Sequence, residues 1–236
     1  MIMYIRRTRL IGVVAAIASC AVAYHRVRRA QPLIFEGSAY GGWWYDSSLL
    51  GSNPIVYSFG LGEDTSWDES LLDRGAMVYG FDPTPKSVAF VNKREQLHSS
   101  SGRFQHTPKG LARNKGTVKF SLPKDPHHVS MRQGVHDGLG GTMDVEVETL
   151  RDFMQYFGHT HLDILKIDIE TAEYDVLEQL IEENYMPFSQ LLVEFHDNDA
   201  GMNKSRYRQI LAGLRRNGFV IAKNISDKEL TFMKVV

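Results

Sequence analysis

Two glycines and an aspartate are the first residues in the sequence whose type and spacing could form a ligand-binding site. Gly60 and Gly62 follow the apolar run Ile55–Phe59, and Asp82 follows the next such run, Met77–Phe81. Glycines directly after a strand allow a ligand to approach the backbone, and an acid at the end of the second strand is placed to bind ribose hydroxyls. This combination is typical of sites for dinucleotides and for S-adenosylmethionine.

The residues around this turn favour S-adenosylmethionine. A dinucleotide fingerprint that starts at Gly60 needs a third glycine at position 65, where the chain has Thr65. The turn and the start of the next helix carry four acids instead: Glu63, Asp64, Asp68 and Glu69. Negative charge here repels a pyrophosphate and tolerates a sulfonium cation. We therefore expect the cofactor to be bound by Gly60, Gly62, Glu63, Asp82 and Pro83.

A second group of reactive side chains follows two later strands. Asp168 and Glu170 come at the end of the run Leu162–Ile167, and Glu194 and His196 end the next run in the same way. The carboxyl ends of parallel strands meet at the edge where open α/β sheets bind ligands. These side chains could accept a proton from a substrate, or could together hold a divalent cation. No metal ion is predicted.

Each of these residues also has a structural interpretation. Ser66 and Glu69 have the spacing of a capping box that opens a helix. Glu170 and Glu173 could stabilise a helix N-terminus by their charge, and His196 could be a hydrogen-bonded histidine at a strand end. The sequence alone leaves both interpretations open.

The pattern of apolar residues predicts the elements that would bring these side chains together. Short apolar runs alternate with amphipathic stretches from Ile55 onward, which is typical of an α/β fold with a mostly parallel sheet and helices on both faces. Strands are predicted at 55–59, 77–81, 117–122, 143–147, 162–167, 190–195, 219–222 and 230–235. Helices are predicted at 67–74, 87–96, 149–157, 173–184 and 205–217. The last two strands predict a C-terminal antiparallel hairpin.

The net charge of −1 hides a division between two parts of the chain. Six of the 27 basic residues, all arginine, lie in the first 35 positions, so the rest carries 21 basic against 28 acidic residues. An acidic body disfavours a nucleic-acid partner held through its phosphates. The single cysteine, Cys20, excludes a disulfide within the chain and any zinc site built on cysteines.

The N-terminal part predicts membrane attachment. Residues 10–24 carry no charge and are flanked by arginines, which favours a single-pass anchor in the secretory pathway. A cleaved signal peptide, giving a secreted protein, and a mitochondrial presequence are the alternatives. We divide the chain into a targeting or anchor segment (1–35), a linker or lid (36–54) and the main domain (55–236). The oligomeric state is not predicted.

Longer motifs in the main domain resemble a known family. Thr149-Leu150-Arg151-Asp152, followed by Leu165-Lys166-Ile167-Asp168-Ile169-Glu170-Thr171-Ala172-Glu173, resembles the signature of FkbM-type methyltransferases, T-L-D and then L-L-K-I-D-x-E-G-A-E. The segment 78–85 resembles the family's V-x-A-F-E-P-x-P, and 116–118 its G-T-V. The Trp43-Trp44 region and Val193–His196 are more similar to the branch around methyltransferase-like protein twenty-four.

The resemblance implies a class I methyltransferase fold, which is Rossmann-like, and methyl transfer from S-adenosylmethionine, most often to an oxygen. A small-molecule or glycan-type acceptor follows as the expected substrate. Because Asp168, Glu170 and His196 end neighbouring strands, we expect Asp168 to lie near the methionine end of this cofactor, and His196 or Glu170 to be the base that accepts the proton of a hydroxyl nucleophile.

Two positions depart from the pattern. Ser58 stands where class I methyltransferases usually carry an acid, and Thr171 replaces the glycine of D-x-E-G, so we expect the turn there to avoid left-handed backbone angles. These departures leave room for a non-catalytic relative that only binds. A nucleotide-dependent oxidoreductase is the third hypothesis.

Overall fold

A computed structural model describes residues 33–94, 97, 102–121, 132–133, 141–196, 203–225 and 228–235. In these ranges the strands are β1 (Ile34–Glu36), β2 (Trp43–Tyr45), β3 (Ile55–Phe59), β4 (Met77–Phe81), β5 (Phe104–Thr107), β6 (Gly110–Leu111), β7 (Gly116–Ser121), β8 (Arg132–Gln133), β9 (Thr142–Glu148), β10 (Leu162–Ile167), β11 (Phe188–Glu194), β12 (Phe219–Ile225) and β13 (Glu229–Lys234). The helices are α1 (Ser66–Asp73), α2 (Pro85–Lys93), α3 (Leu150–Phe157), α4 (Glu173–Glu182) and α5 (Lys204–Arg216), with a short 3₁₀ helix at Ser47–Leu49.

A seven-stranded sheet forms the centre of the molecule, in the order β12-β13-β11-β10-β3-β4-β5. The five strands from β11 to β5 are parallel, and β13 and β12 close the other edge as an antiparallel hairpin. The predicted fold class, a mostly parallel sheet with a C-terminal antiparallel hairpin, is confirmed. The predicted bounds of β3, β4 and β10 are those observed, because strands buried on both faces consist mostly of apolar residues.

Both faces of the central sheet are covered. On one face, α3, α4 and α5 pack against an aromatic layer in which the rings of Phe59 and Phe81 stack 4.3 Å apart. On the other, α1 and α2 pack with Trp43 and Tyr45 of the β1–β2 hairpin. Since each face is covered, functional side chains become accessible only at the strand ends.

The segment that the sequence analysis gives as a linker or lid, residues 36–54, contains β2 and packs on the sheet. Trp43 and Tyr45 are buried, and Tyr45 donates a hydrogen bond to Glu36. Gln190 of β11 binds the backbone of Asp46 twice, accepting from its N–H (2.9 Å) and donating to its carbonyl (3.0 Å). These contacts attach the hairpin to the middle of the sheet.

A smaller mixed sheet, in the order β6-β9-β7-β8, lies in a part of the chain where the sequence predicts only β7 and β9. Here β7 pairs antiparallel with β9 and β8, while β6 pairs parallel with β9. Gly110 and Leu111 of β6 and Phe120 of β7 reach the carboxyl end of the central sheet. The sheet therefore forms one wall of the site described below.

The predicted membrane anchor requires a correction. Among the described residues, no helix is both long and apolar enough to cross a bilayer, which contradicts the prediction of a single-pass membrane protein. Residues 10–24, on which that prediction depended, lie outside the described residues.

The glycine turn after β3 has the tightest backbone approach near the strand ends. Gly60 has φ +81°, and a Cβ placed on it would lie 1.7 Å from the carbonyl oxygen of Asp168. Gly62 is also left-handed, φ +57°, but a Cβ there meets no described atom within 4 Å. The first glycine is thus required by packing as well as by backbone angle, and the second by backbone angle alone.

We expect Gly60→Ala and Gly62→Ala to differ sharply in stability. Gly62→Ala should cost about 1 kcal/mol, the price of a left-handed alanine. Gly60→Ala should cost more than about 3 kcal/mol, because the turn must move away from β10. Chemical denaturation of both variants measures the difference, and equal losses would contradict the close approach at Gly60.

Candidate active site

A cavity of about 770 Å³ opens at the carboxyl ends of β3, β4, β10 and β11. Its volume lies within the range of sites for cofactors and small molecules. The sequence-predicted site residues all line it: Gly60, Gly62, Glu63, Asp82, Pro83, Asp168, Glu170 and His196. The structure therefore brings together side chains that are up to 136 positions apart in the chain, from Gly60 to His196.

Asp82 fixes the glycine turn from the side of β4. One carboxylate oxygen accepts the backbone N–H groups of Leu61 (3.1 Å) and Gly62 (2.9 Å). The other accepts the backbone N–H (2.8 Å) and the hydroxyl (2.6 Å) of Thr84. The side chain is buried, so it both shapes the turn and presents the acid that the sequence pattern assigns to ribose.

Lys166 fixes the same turn from the side of β10. Its ammonium group donates to the carbonyls of Gly60 (2.6 Å) and Phe59 (3.3 Å) and lies 3.6 Å from a carboxylate oxygen of Asp168. The side chain is 5% exposed. No role is predicted for Lys166 from the sequence, although a lysine inside the apolar run 162–167 is a usable signal, since charged residues are rarely buried without a partner.

His196 lies at the centre of an acidic group. Its Nδ1–H donates to the buried carboxylate of Glu173 at 2.8 Å. Its Nε2 faces carboxylate oxygens of Asp168 (3.7 Å), Glu194 (3.8 Å) and Glu170 (3.9 Å). The bond to Glu173 fixes the orientation of the ring, so that Nε2 points toward the cavity residues.

The surroundings of His196 keep it protonated at neutral pH. Burial lowers the pKa of the imidazole, but the hydrogen bond to Glu173 and the negative charges of Glu173, Glu170 and Asp168 outweigh this and raise it to about 9. Burial in turn raises the pKa of Glu173, against the effect of the nearby histidine. The hydrogen bond between His196 and Glu173 thus joins the end of β11 to the start of α4.

Comparison with known proteins decides the family. The model of the Methyltransferase FkbM domain matches residues 55–221. The chain belongs to the FkbM methyltransferase family. It is 31% identical over 143 residues to human Probable methyltransferase-like protein 24, a match that covers 60% of this chain and 32% of that protein. The chain thus spans about a third of the length of this relative.

Other similarities are more distant. Methyltransferase sdnD of Sordaria araneosa is 21% identical over 236 residues, with 87% of this chain and 89% of that protein covered. Among solved structures, the Methanococcus jannaschii fibrillarin pre-rRNA processing protein aligns with a TM-score of 0.44 at 10% identity, covering 88% of this chain and 84% of that one.

Membership of the FkbM family implies S-adenosylmethionine as the cofactor, and the lining of the cavity fits it. Within the described residues, the lining carries eight carboxylates but only Lys166 and His196 as bases; the acids are Glu63, Asp64, Asp68, Asp82, Asp168, Glu170, Glu194 and Glu229. This excess suits a ligand with a sulfonium and an ammonium group. One atom, Oδ1 of Asp68, is buried without a hydrogen-bond partner among the described residues.

The acids also have the spacing of a cation site at one point. Asp168, Glu194 and His196 each place one ligand atom so that the three lie within 4.8 Å of one another. A divalent cation could bridge such a set, because carboxylate and imidazole are suitable ligands. The expectation that no metal binds here stays a prediction.

The turn between β10 and α4, which carries the FkbM signature, has other backbone angles than we expected. Glu170 and Thr171 have φ +55° and +85°, so the prediction that Thr171 avoids left-handed angles is wrong. The carboxylate of Glu173 accepts the N–H of Ile169 at 3.0 Å, which forces the chain to reverse between β10 and α4 within a few residues. This reversal directs Glu170 to the cavity, at the cost of a strained threonine.

The structure tests two of the structural interpretations: the helix-start charge of Glu173, in the turn between β10 and α4, and the capping box at the start of α1. Glu173 does more than add charge to a helix start, since it binds both Ile169 and His196. The capping box of Ser66 and Glu69 is not formed: α1 has Thr65 as its N-cap residue, and the carboxylate of Glu69 binds Arg94 and the Thr65 hydroxyl.

Thr171→Gly should stabilise the protein by about 1 kcal/mol, because glycine adopts the left-handed angle without a steric penalty. Asn184→Gly is the matched control, since Asn184 is also left-handed (φ +50°) but asparagine tolerates this conformation, and its change should be close to zero. Denaturant titration compares the two. A loss of stability in Thr171→Gly would contradict the strained turn.

Proposed function

We propose that this chain transfers a methyl group from S-adenosylmethionine to a hydroxyl oxygen of an uncharged small-molecule or glycan-type acceptor. The observation that carries this proposal is the group of His196 and three carboxylates at the strand ends, in the cavity that also holds the glycine turn and Asp82. A hydroxyl nucleophile needs a proton acceptor close to it, and this group supplies several.

The charge of the cavity supports an uncharged acceptor. Eight carboxylates against one lysine and one histidine, counted over the described lining, repel phosphates and other anions. This disfavours nucleic acids as the acceptor, and a pyrophosphate-containing cofactor for the same reason, so the oxidoreductase hypothesis loses support. Carboxylates bind hydroxyl groups well, which suits a hydroxyl-rich molecule.

The chain's residues have separate tasks in this proposal. The cofactor, when bound, supplies an electrophilic methyl group on a positively charged sulfur. Gly60, Gly62, Glu63, Asp82 and Pro83 bind its nucleoside part, and Asp168 lies near its methionine end. The protein must hold the acceptor oxygen in line with methyl and sulfur, since alignment supplies most of the rate in such a displacement.

Glu170 and His196 are the proposed bases. His196 carries a proton at neutral pH, because its pKa is raised to about 9. As base it must first lose that proton, and the positive charge of the bound cofactor would favour the loss. Glu170 lines the same cavity, with a carboxylate oxygen 3.9 Å from Nε2 of His196.

Cofactor binding tests the proposal first. We expect calorimetry to show binding of both S-adenosylmethionine and S-adenosylhomocysteine, and at least about tenfold weaker binding to Asp82→Ala, which loses the ribose acceptor and the bonds that shape the turn. Asp144→Ala, an exposed aspartate of β9 outside the cavity lining, serves as control. If the wild-type protein binds neither ligand at millimolar concentration, the proposal fails.

Methyl transfer is then measured with cofactor labelled in the methyl group and a hydroxyl-rich extract as acceptor. Label in an ether-linked methyl group supports the proposal. Binding of the cofactor with no transfer to any component would instead support a non-catalytic binding module.

The pH dependence of kcat/KM distinguishes the two bases. If His196 is the base, kcat/KM should rise about tenfold per pH unit from pH 7 and level off near its pKa of about 9, because only the neutral imidazole accepts a proton. His196→Gln should then lose this rise and about a hundredfold in rate, whereas His161→Gln, an exposed histidine, should not.

The measurement is made with EDTA present. A flat profile between pH 7 and 9 would assign the base to Glu170. Activity that EDTA removes and Mg²⁺ restores would contradict the metal-free site and assign Asp168, Glu194 and His196 to a cation.

A further inference from the structure

Asp68 is a buried acid that the proposed chemistry leaves without a task. It lies in the first turn of α1, directly behind the glycine turn, and lines the cavity although only 2% of the residue is exposed. Its Oδ1 atom has no hydrogen-bond partner among the described residues. A buried polar atom without a partner destabilises the fold, so its retention calls for a reason.

The neighbours of Asp68 do not neutralise it. Lys166 from β10 is the positive charge that lowers its pKa, but the ammonium group of Lys166 donates to the carbonyls of Phe59 and Gly60. On β3 the hydroxyl of Ser58 lies near enough to lower the pKa of Asp68, although the two groups are not in hydrogen-bonding geometry, and the negative charge of Glu69 on its own helix raises that pKa. Burial is the largest effect and raises the pKa of Asp68 to about 6.

The hydroxyl group of Ser58, like Oδ1 of Asp68, is buried and lacks a hydrogen-bond partner among the described residues. Ser58 stands two positions before Gly60, where an acid would have been expected. A carboxylate is nevertheless present at this place in space, because α1 supplies Asp68 from the next element of the chain.

A donor that carries positive charge would both satisfy the free oxygen of Asp68 and offset its buried negative charge. A sulfonium has no hydrogen to donate, whereas an ammonium has three N–H groups and could satisfy both Asp68 and Ser58. The cofactor of the proposed function carries one such group, on its amino acid part. The geometry points to Asp68 as the carboxylate that binds the α-ammonium of the cofactor, in place of the acid that position 58 lacks.

This inference rests on the proposed function, and Asp68→Asn tests it in two ways. The variant should bind S-adenosylhomocysteine at least about tenfold more weakly, because a charge-assisted hydrogen bond is lost. It should bind 5′-methylthioadenosine, which lacks the amino acid part, as well as the wild type does. Asp73→Asn, an exposed aspartate at the end of the same helix, should change neither affinity.

The second readout is the stability of the protein without ligand. Since the pKa of Asp68 is raised by folding to about 6, its ionised form destabilises the folded state above that pH. Asp68→Asn should therefore raise Tm at pH 7.5, by about 3 °C, and the gain should shrink toward pH 5 as the wild-type carboxyl takes up its proton. A merely structural acid would give the opposite result, a lower Tm.

A measurement on the wild type alone supports the test should the variant fold poorly. Because a protonated Asp68 must lose its proton to bind an ammonium group, binding of S-adenosylhomocysteine should release part of a proton at pH values around 6, measured by calorimetry in two buffers of different ionisation enthalpy. No proton release anywhere between about pH 5 and pH 7 would overturn the inference.

The outcomes distinguish a failure of the inference about Asp68 from a failure of the proposed function. Wild-type binding of S-adenosylhomocysteine with unchanged affinity in Asp68→Asn overturns the role of Asp68 and leaves the proposed function standing. An equal loss for both ligands together with a lower Tm shows a structural role and overturns it as well. A wild-type protein that binds neither ligand overturns both.

Discussion

The contact between the glycine turn and the end of β10 is the constraint on which the site depends. Gly60 approaches the carbonyl of Asp168 so closely that no side chain fits between them. Asp82 and Lys166 hold the turn there from the two neighbouring strands, one through backbone N–H groups and the other through backbone carbonyls. The glycine turn, which is proposed to bind the cofactor, and the strand end that carries Asp168 are therefore held together by direct contacts.

The charges that line the cavity determine which ligands it favours. The acids around the cavity are held close together by the fold, and the protein offsets them in part with a buried lysine and a protonated histidine. Burial also raises the pKa of Glu194 and Glu229 at the same edge. The site thus suits a ligand that brings positive charge with it, in agreement with S-adenosylmethionine as cofactor, with the proposed uncharged acceptor and with the proposed role of Asp68.

Sequence reasoning was strong where a single strand or a strand end carries the information. β10 was predicted with its observed bounds, and Gly60, Asp82, Asp168 and His196 meet at one cavity because parallel strands end at the same edge. Prediction from the sequence was weak for features that depend on packing between elements distant in the chain. The burial of Asp68 depends on how α1 lies against the sheet and the β1–β2 hairpin, and no local pattern reports that.

Two wrong or missed predictions, at Thr171 and at β6, have the same physical cause: contacts between distant parts of the chain. The rule that threonine avoids left-handed angles is local, and at Thr171 the bonds of Glu173 to Ile169 and His196 override it. The strand β6 was missed because two residues make no periodic signal, and it exists only through its pairing with β9. The membrane prediction relied on residues 10–24, which lie outside the described residues, and no helix among the described residues is long and apolar enough to cross a bilayer.

The double hydrogen bond between Gln190 and the backbone of Asp46 joins residues 144 positions apart. During synthesis the β1–β2 hairpin leaves the ribosome long before β11 exists, so these two hydrogen bonds cannot form until most of the described chain has been made. Until then the hairpin can pack only on its nearer neighbours in the chain, such as α1, where the rings of Tyr45 and Trp67 meet edge to face. A nascent chain that stalls before β11 therefore lacks the bonds that attach the hairpin to the middle of the sheet.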